Sequence, residues 1–352
     1  MRKFKLNSSD TDSELVNMFF SFVSDNKDYE VEFLRCQDIL LTTVPTQLAT
    51  AMCRVVELHL YGDVQLSKRQ SDCMFKAIGE STDLKLKKLE LFLVKIQNLD
   101  AEIFAMALIN IEEVTFGTKE LSEDYSQAVL KAINNKSVLK LKKLVLYNCL
   151  LLSEMRDAET MSKALCRVQH VCIYECRLST NKLTTIFTNI SKASMLQLHT
   201  LVVEDMNEGI RGVPPSILAR AICRLKRCGL TGIETMSTLQ IEKLCWEIVD
   251  CKNLSLTHLI LETLYEMEEV RGDILASAIS RLEVVDFGDS YTDEKLHAIA
   301  KRVVEYSDSK LKELYIRPPS TVDYTEVDPA LLKNMREKLK VNTDKWLVLK
   351  WL

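Results

Sequence analysis

Glycine and proline are scarce in this chain, nine and six among 352 residues. A loop that cradles phosphate needs several glycines close together. No glycine-rich fingerprint occurs, nor does the nucleophile-elbow pattern G-x-S-x-G or the zinc-helix pattern H-E-x-x-H. Positive charge is in deficit too. The 46 Lys and Arg stand against 50 Asp and Glu, a net charge of −4, which argues against nucleic acid as a partner. No apolar run approaches the ~18 residues of a membrane span. The basic start Met1-Arg2-Lys3-Phe4-Lys5-Leu6 runs into Asn7-Ser8-Ser9-Asp10, unlike a secretory signal, so neither membrane association nor export is expected. Eleven scattered cysteines, an odd number, do not read as a disulfide framework; they read as small apolar side chains in a reducing, cytoplasmic setting.

What the chain does have is repetition. Asp83-Leu84-Lys85-Leu86-Lys87-Lys88-Leu89-Glu90-Leu91 and Val138-Leu139-Lys140-Leu141-Lys142-Lys143-Leu144-Val145-Leu146 are nearly copies. Apolar anchors at Val31, Leu58, Leu89, Val114, Leu144, Val171, Leu201, Cys228, Leu259, Val285 and Leu314 are 27, 31, 25, 30, 27, 30, 27, 31, 26 and 29 residues apart. From the second interval onward, long and short units alternate. The short half carries an apolar-Ala helix ending in Arg and an apolar residue, around Arg54, Arg167, Arg224 and Arg281, with Asn110 in the fifth case. The long half opens on Leu-Ser or an equivalent and predicts longer amphipathic helices over Leu121 to Ile133, Leu178 to Ile190 and Tyr291 to Val304, with Ser or Thr placed to cap them.

Leu141, Leu144, Leu146, Cys149 and Leu151, and again Val168, Val171, Ile173, Cys176 and Leu178, resemble the leucine-rich-repeat signature. The double unit is similar to the ribonuclease-inhibitor subtype, also found in the sensor arrays of NOD-like receptors. The resemblance covers residues 29 to 317 and implies an α/β solenoid. Its form would be a horseshoe with a parallel sheet on the concave face, convex helices, and repeats alternating between about 27 and about 30 residues. Residues 1–28 are expected to form an N-terminal cap repeat and 318–352 a C-terminal cap. That second cap would have a helix over Pro329 to Leu339, a strand over Trp346 to Leu352, and Pro318-Pro319 at its boundary. The Asn/Cys position of the signature is assigned to Cys36, Cys149 and Cys176.

Candidate chemistry is thin. Cys166, His170, Cys172 and Cys176 have zinc-like spacing, but the repeat register scatters them over a helix end, an outer strand position and a buried position, so no metal is expected. His170 and Cys172 share a strand face, a pair that nucleophilic catalysis could use, yet an open sheet supplies no oxyanion donors. His59, His199 and His258 read as ordinary surface histidines. No cofactor and no enzymatic activity are expected.

The informative column is the last outward position of each strand: Leu34, Tyr61, Phe92, Gly117, Tyr147, Tyr174, Glu204, Thr231, Glu262, Gly288 and Arg317. Aromatic residues there suit a protein interface, and Gly117 between Phe92 and Tyr147 would leave a slot for a guest side chain. Glu204, Glu262 and Asp286, with Asp205 and Asp289, would meet a basic segment of the partner. The competing reading is cross-strand packing of the rings on one another. The expected function is a protein-interaction scaffold: an inhibitor, adaptor or sensor array. The alternatives are a regulator of a partner enzyme, similar to leucine-rich-repeat GTPase activators but without their acidic tail, or the receptor-like part of a larger assembly. Oligomeric state is left open.

Overall fold

The computed structural model describes residues 2–7, 13–26, 28–39, 41–92, 94, 99–117, 123–148, 157–204, 209–232, 236–261, 269–286, 293–315 and 328–342. Two compact units result, Met1–Cys176 and Arg177–Leu352. In the first, strands β1 (Lys3–Asn7), β2 (Val31–Gln37), β3 (Val55–Tyr61), β4 (Lys88–Phe92), β5 (Glu113–Gly117), β6 (Lys143–Tyr147) and β7 (His170–Tyr174) alternate with helices α1 (Ser13–Asp25), α2 (Pro45–Cys53), α3 (Lys68–Glu80), α4 (Ala101–Leu108), α5 (Glu123–Asn135) and α6 (Ala158–Leu165). In the second, α7 (Thr180–Lys192), α8 (Pro215–Arg224), α9 (Thr238–Asp250), α10 (Gly272–Ile279), α11 (Asp293–Glu305) and α12 (Pro329–Lys338) alternate with β8 (Thr200–Glu204), β9 (Arg227–Thr231), β10 (His258–Leu261), β11 (Val284–Asp286), β12 (Glu313–Tyr315) and β13 (Lys340–Asn342). Within each unit the strands pair in parallel and in chain order, as helical crossovers between parallel strands require. Each unit is therefore an α/β repeat solenoid.

The core is built by two apolar positions per strand. Leu58 and Leu60, Leu89 and Leu91, and Leu201 and Val203 point to the helix side with 0 to 3% exposure, where burying each contributes about 1.5–3 kcal/mol. Phe104 links three elements, with ring centroids 5.2 Å from Phe75, 5.7 Å from Phe116 and 5.5 Å from Tyr125.

Register corrects the anchor of the second strand. Leu34 lies opposite Leu58, whereas Val31 lies opposite Val55, in the strand's first residues. The stretch Val31-Glu32-Phe33-Leu34-Arg35-Cys36-Gln37 is apolar in two overlapping alternations, and the wrong one was legible. Phe4 opposes Leu34, so the true separations from Phe4 to Val171 are 30, 24, 31, 25, 30 and 27 residues. The long-short alternation thus begins with the first repeat. Leu34 faces the core, Gln37 is the residue of β2 aligned with Tyr61, and Cys36 takes a core strand position opposite Leu60 instead of the Asn/Cys position.

Segment 318–352 contributes α12 and β13, and β13 pairs with β12. It therefore supplies a strand and helix of the same build as the array. The Pro318-Pro319 boundary and the strand over Trp346 to Leu352 fall outside the described residues.

Consecutive repeats are tied by polar side chains reaching backbone carbonyls. The Arg closing four of the short helices donates to the free carbonyls at the end of the preceding long helix. Arg54 bonds Val23 O at 2.7 Å and Ser24 O at 2.8 Å; Arg167 bonds Ile133 O at 2.5 Å, with Asn134 O and Lys136 O also accepting. In the second unit Arg224 bonds Ile190 O at 3.0 Å and Ser191 O at 2.9 Å, and Arg281 bonds Val249 O at 2.6 Å and Cys251 O at 2.7 Å. Asn110 reaches Gly79 O at 2.6 Å. At the other end of the long helices, Gln70 closes a capping box with Ser67 and donates to Leu41 O and Thr43 O at 2.7 and 2.8 Å. Gln240 repeats this with Ser237, Ile210 O and Val213 O. Ser179 stands at the expected N-cap without a side-chain cap bond.

Candidate functional site

The site lies in the first unit, on the sheet face turned away from the helices. Side chains alternate along each strand, so three outward columns form. In the first column Glu57, Lys88, Glu113, Lys143 and His170 stand side by side on β3 to β7, an alternation of charge ending in histidine. Arg35, His59, Glu90, Thr115, Val145 and Cys172 make the second, and Gln37, Tyr61, Phe92, Gly117, Tyr147 and Tyr174 the third.

The aromatic rings of the third column form one ladder. Tyr61 stacks on Phe92 with centroids 4.9 Å apart and planes 12° apart, and Tyr147 stacks on Tyr174 at 4.5 Å and 16°. Phe92 reaches Tyr147 at 5.6 Å, across the strand that carries Gly117. The expected slot at Gly117 is therefore filled from within. A Cβ built there would lie 2.1 Å from Phe92 Cδ1. Tyr61, Phe92 and Tyr147 are partly exposed, while Tyr174 is 3% exposed and backs Tyr147.

Beside the ladder Glu90 collects donors. Tyr61 donates its hydroxyl at 2.5 Å, Lys88 Nζ lies 2.9 Å away and His59 Nδ1 lies 3.2 Å away. Burial favours the protonated carboxyl, but the bonds from Tyr61 and Lys88 and the charges of His59 and Lys88 outweigh it, holding Glu90 below the usual carboxylate range. Burial lowers His59, Lys88 and Arg35 lower it further, and Glu90 only partly opposes them, so its pKa lies below the ordinary histidine value. Lys88 is raised, since Glu90, Glu57 and Glu113 outweigh its desolvation. Tyr61 is pushed up by burial and by its Glu90 bond. Arg35 donates to Gln37 at 2.7 Å and lies 4.5 Å over the Tyr61 ring, and Phe33 meets His59 edge to face at 4.7 Å.

His59 is thus not the ordinary surface histidine expected from sequence; its side chain is 13% exposed. Glu90, Lys88 and Arg35 were not singled out as site residues. The signal was there: once registered, His59 and Glu90 are neighbours in one column.

The remaining candidates separate. Glu204 is partly exposed at the end of β8 in the second unit. Asp286, expected as an exposed acid, is 2% exposed on the outer side of β11 and is not available to a basic segment. Glu262, Asp205, Asp289, Gly288, Arg317 and Cys149 lie outside the described residues. Cys172 does share a face with His170, but burial takes its thiol up to about 11, the opposite of an activated nucleophile. Cys176 is buried with Sγ 3.2 Å from Tyr174 O, and Cys166 caps α6. Among the described residues no group of His, Cys, Asp and Glu is arranged to hold a metal, and no helix is long and apolar enough to cross a membrane.

No family model and none of the curated proteins compared matches the chain. A solved structure does. A chain in the crystal structure of the Rad7 and Elc1 complex in yeast is similar with a TM-score of 0.55 at 13% identity, over 98% of this chain and 81% of that one. At that identity the likeness shows the fold. Together with the repeating strand and helix register, it fits a leucine-rich-repeat solenoid fold.

Proposed function

We propose that the chain is a non-enzymatic interaction scaffold that seats a protein partner on the outward strand face of its first unit, with Tyr61, Phe92 and Tyr147 as the anchors. The observation that carries this reading is the partly exposed aromatic ladder, held in place from behind by Tyr174 and from the side by the Glu90 network. Rigid rings that need no ordering on binding are the usual energetic centre of an interface. Gly117 serves by admitting the Phe92 ring, not by receiving a guest. Separately, on the second unit, Glu204 and Glu262 stay proposed as acidic positions that a basic segment would meet. The occurrence of the similar structure in a two-protein complex supports a protein partner. The alternation of repeat lengths supports the ribonuclease-inhibitor-like subtype, and scattered cysteines, six of them buried among the described residues, support a reducing, cytoplasmic setting.

The test is affinity capture of a partner, followed by its titration against variants. Tyr147→Ala is expected to weaken binding by about tenfold or more, as truncation of an interface anchor does. Lys131→Ala, on the exposed face of α5, should leave it within about twofold. Equal affinity in both variants rejects the strand face as the seat.

A further inference from the structure

The N-terminal side of α1 carries an apolar surface where the long helices α3, α5, α9 and α11 each carry a contact to the preceding repeat. The third helical residue is Gln70 in α3, Tyr125 in α5 and Gln240 in α9, and each bonds carbonyls of the preceding repeat. The sixth residue of α11 is Ala298, whose Cβ would lie 3.5 Å from a Cβ built at Gly272 of the preceding helix. The tenth is Arg302, 3.3 Å from Ser280 Oγ just beyond that helix. The same three positions in α1 are Leu15, Met18 and Phe22, and they are 58, 62 and 48% exposed. Phe19 lies beside them, its ring 4.9 Å from Phe4 on β1.

β1 is unfinished in the same direction. Among the described residues it pairs only with β2, and none of them meets the backbone donors and acceptors of its other edge. Lys3 and Lys5 project from one side of that strand, both exposed and without an ion pair, and Arg2 beside them lies 3.9 Å over the Tyr29 ring. A second copy of this chain would suit the apolar surface, but antiparallel pairing of β1 with itself brings Lys3 and Lys5 against like charges, which is destabilising.

We propose that this face takes an extended acidic segment of another protein, added as a strand along β1. Its carboxylates would lie opposite Lys3 and Lys5. Its alternate apolar side chains would cover Phe4 and Phe19 and extend toward Leu15 and Phe22. This surface is separate from the aromatic ladder, and its test does not depend on it.

The probe is a labelled synthetic heptapeptide alternating glutamate and leucine, with a lysine and leucine counterpart, titrated against the full chain by fluorescence anisotropy and followed by amide exchange at β1. The acidic peptide is expected to bind, to slow exchange at Phe4 and Lys5, and to lose about tenfold or more in affinity in either Lys3→Glu with Lys5→Glu or Leu15→Ser with Phe22→Ser. The basic peptide should bind the native chain more weakly by a similar factor and recover on the Lys3→Glu, Lys5→Glu variant. All four substituted side chains are exposed or at a strand edge, so circular dichroism should show the fold retained. No binding of the acidic peptide, equal binding of both peptides, or insensitivity to both double variants overturns the proposal. So does a dimer in sedimentation that Leu15→Ser dissociates, because the occupant would then be a second copy.

Discussion

A methyl group at Gly117 would sit 2.1 Å from Phe92 Cδ1 and 2.4 Å from Cε1, inside any tolerable contact, so the ring and the glycine specify each other. Gly117→Ala is accordingly expected to destabilise the chain by about 1–3 kcal/mol, the usual cost of overpacking, and to break the Phe92–Tyr147 contact. Adding Phe92→Ala removes the obstruction, so the double variant should be less destabilised than the two single effects combined. An unchanged denaturation midpoint for Gly117→Ala would mean that the ring does not occupy the slot. Gly62 offers the contrast. Its φ is +68°, and a Cβ would meet Asp38 Oδ1 at 1.9 Å, so backbone strain opposes a side chain there whatever the aromatic column does. Both glycines could be seen in the sequence. Which neighbour filled the first could not, because that depends on the rotamer of the ring on the adjacent strand.

Elements show a similar division between what was legible and what was not. The Arg closing the short helices stood out at Arg54, Arg167, Arg224 and Arg281, and the helices themselves fell close to the expected stretches. The task of that Arg was hidden, because its acceptors are backbone carbonyls and carry no residue identity. The register of β2 slipped for a related reason: Val31, Phe33, Leu34 and Cys36 satisfy two alternations, and only pairing with Leu58 decides between them. The capping role makes a ranked prediction. Arg167→Ala strands three carbonyls at the end of α5 and should cost about 1–3 kcal/mol, whereas Asn110→Ala releases only Gly79 O and should cost about 0.5–1.5 kcal/mol. Amide exchange in the last turn of α5 should accelerate in the first variant. If chemical denaturation ranks the two variants in the opposite order, the arginine is not acting as the cap.

At the scale of the whole molecule, the titrating groups that folding perturbs most fall into two sets with opposite signs. His59 in the first unit and His258 in the second are both lowered, chiefly by burial and then by neighbouring cations, against partial opposition from carboxylates. A lowered folded value means that the unfolded chain binds more protons below the ordinary histidine value of 6.5, so stability present above it is lost as pH falls. Burial raises the thiols: Cys36 and Cys245 to about 12 and Cys53 and Cys172 to about 11, with Cys223 and Cys228 also pushed up. Folded thiols keep protons that unfolded ones release above 9.0, so stability present below that value is lost as pH rises. A plateau between the two ordinary values follows, with Tm falling on either side when measured under reducing conditions. Replacing both histidines, as His59→Gln with His258→Gln, should move the acid fall down to the range where carboxylates such as Glu90 titrate. Cys36→Ala with Cys228→Ala should make the alkaline limb shallower even if it lowers Tm throughout, because two of the retained protons are gone. A Tm that rises as pH falls through 6.5, or an alkaline limb whose slope ignores the thiols, would contradict this account of what the buried columns do.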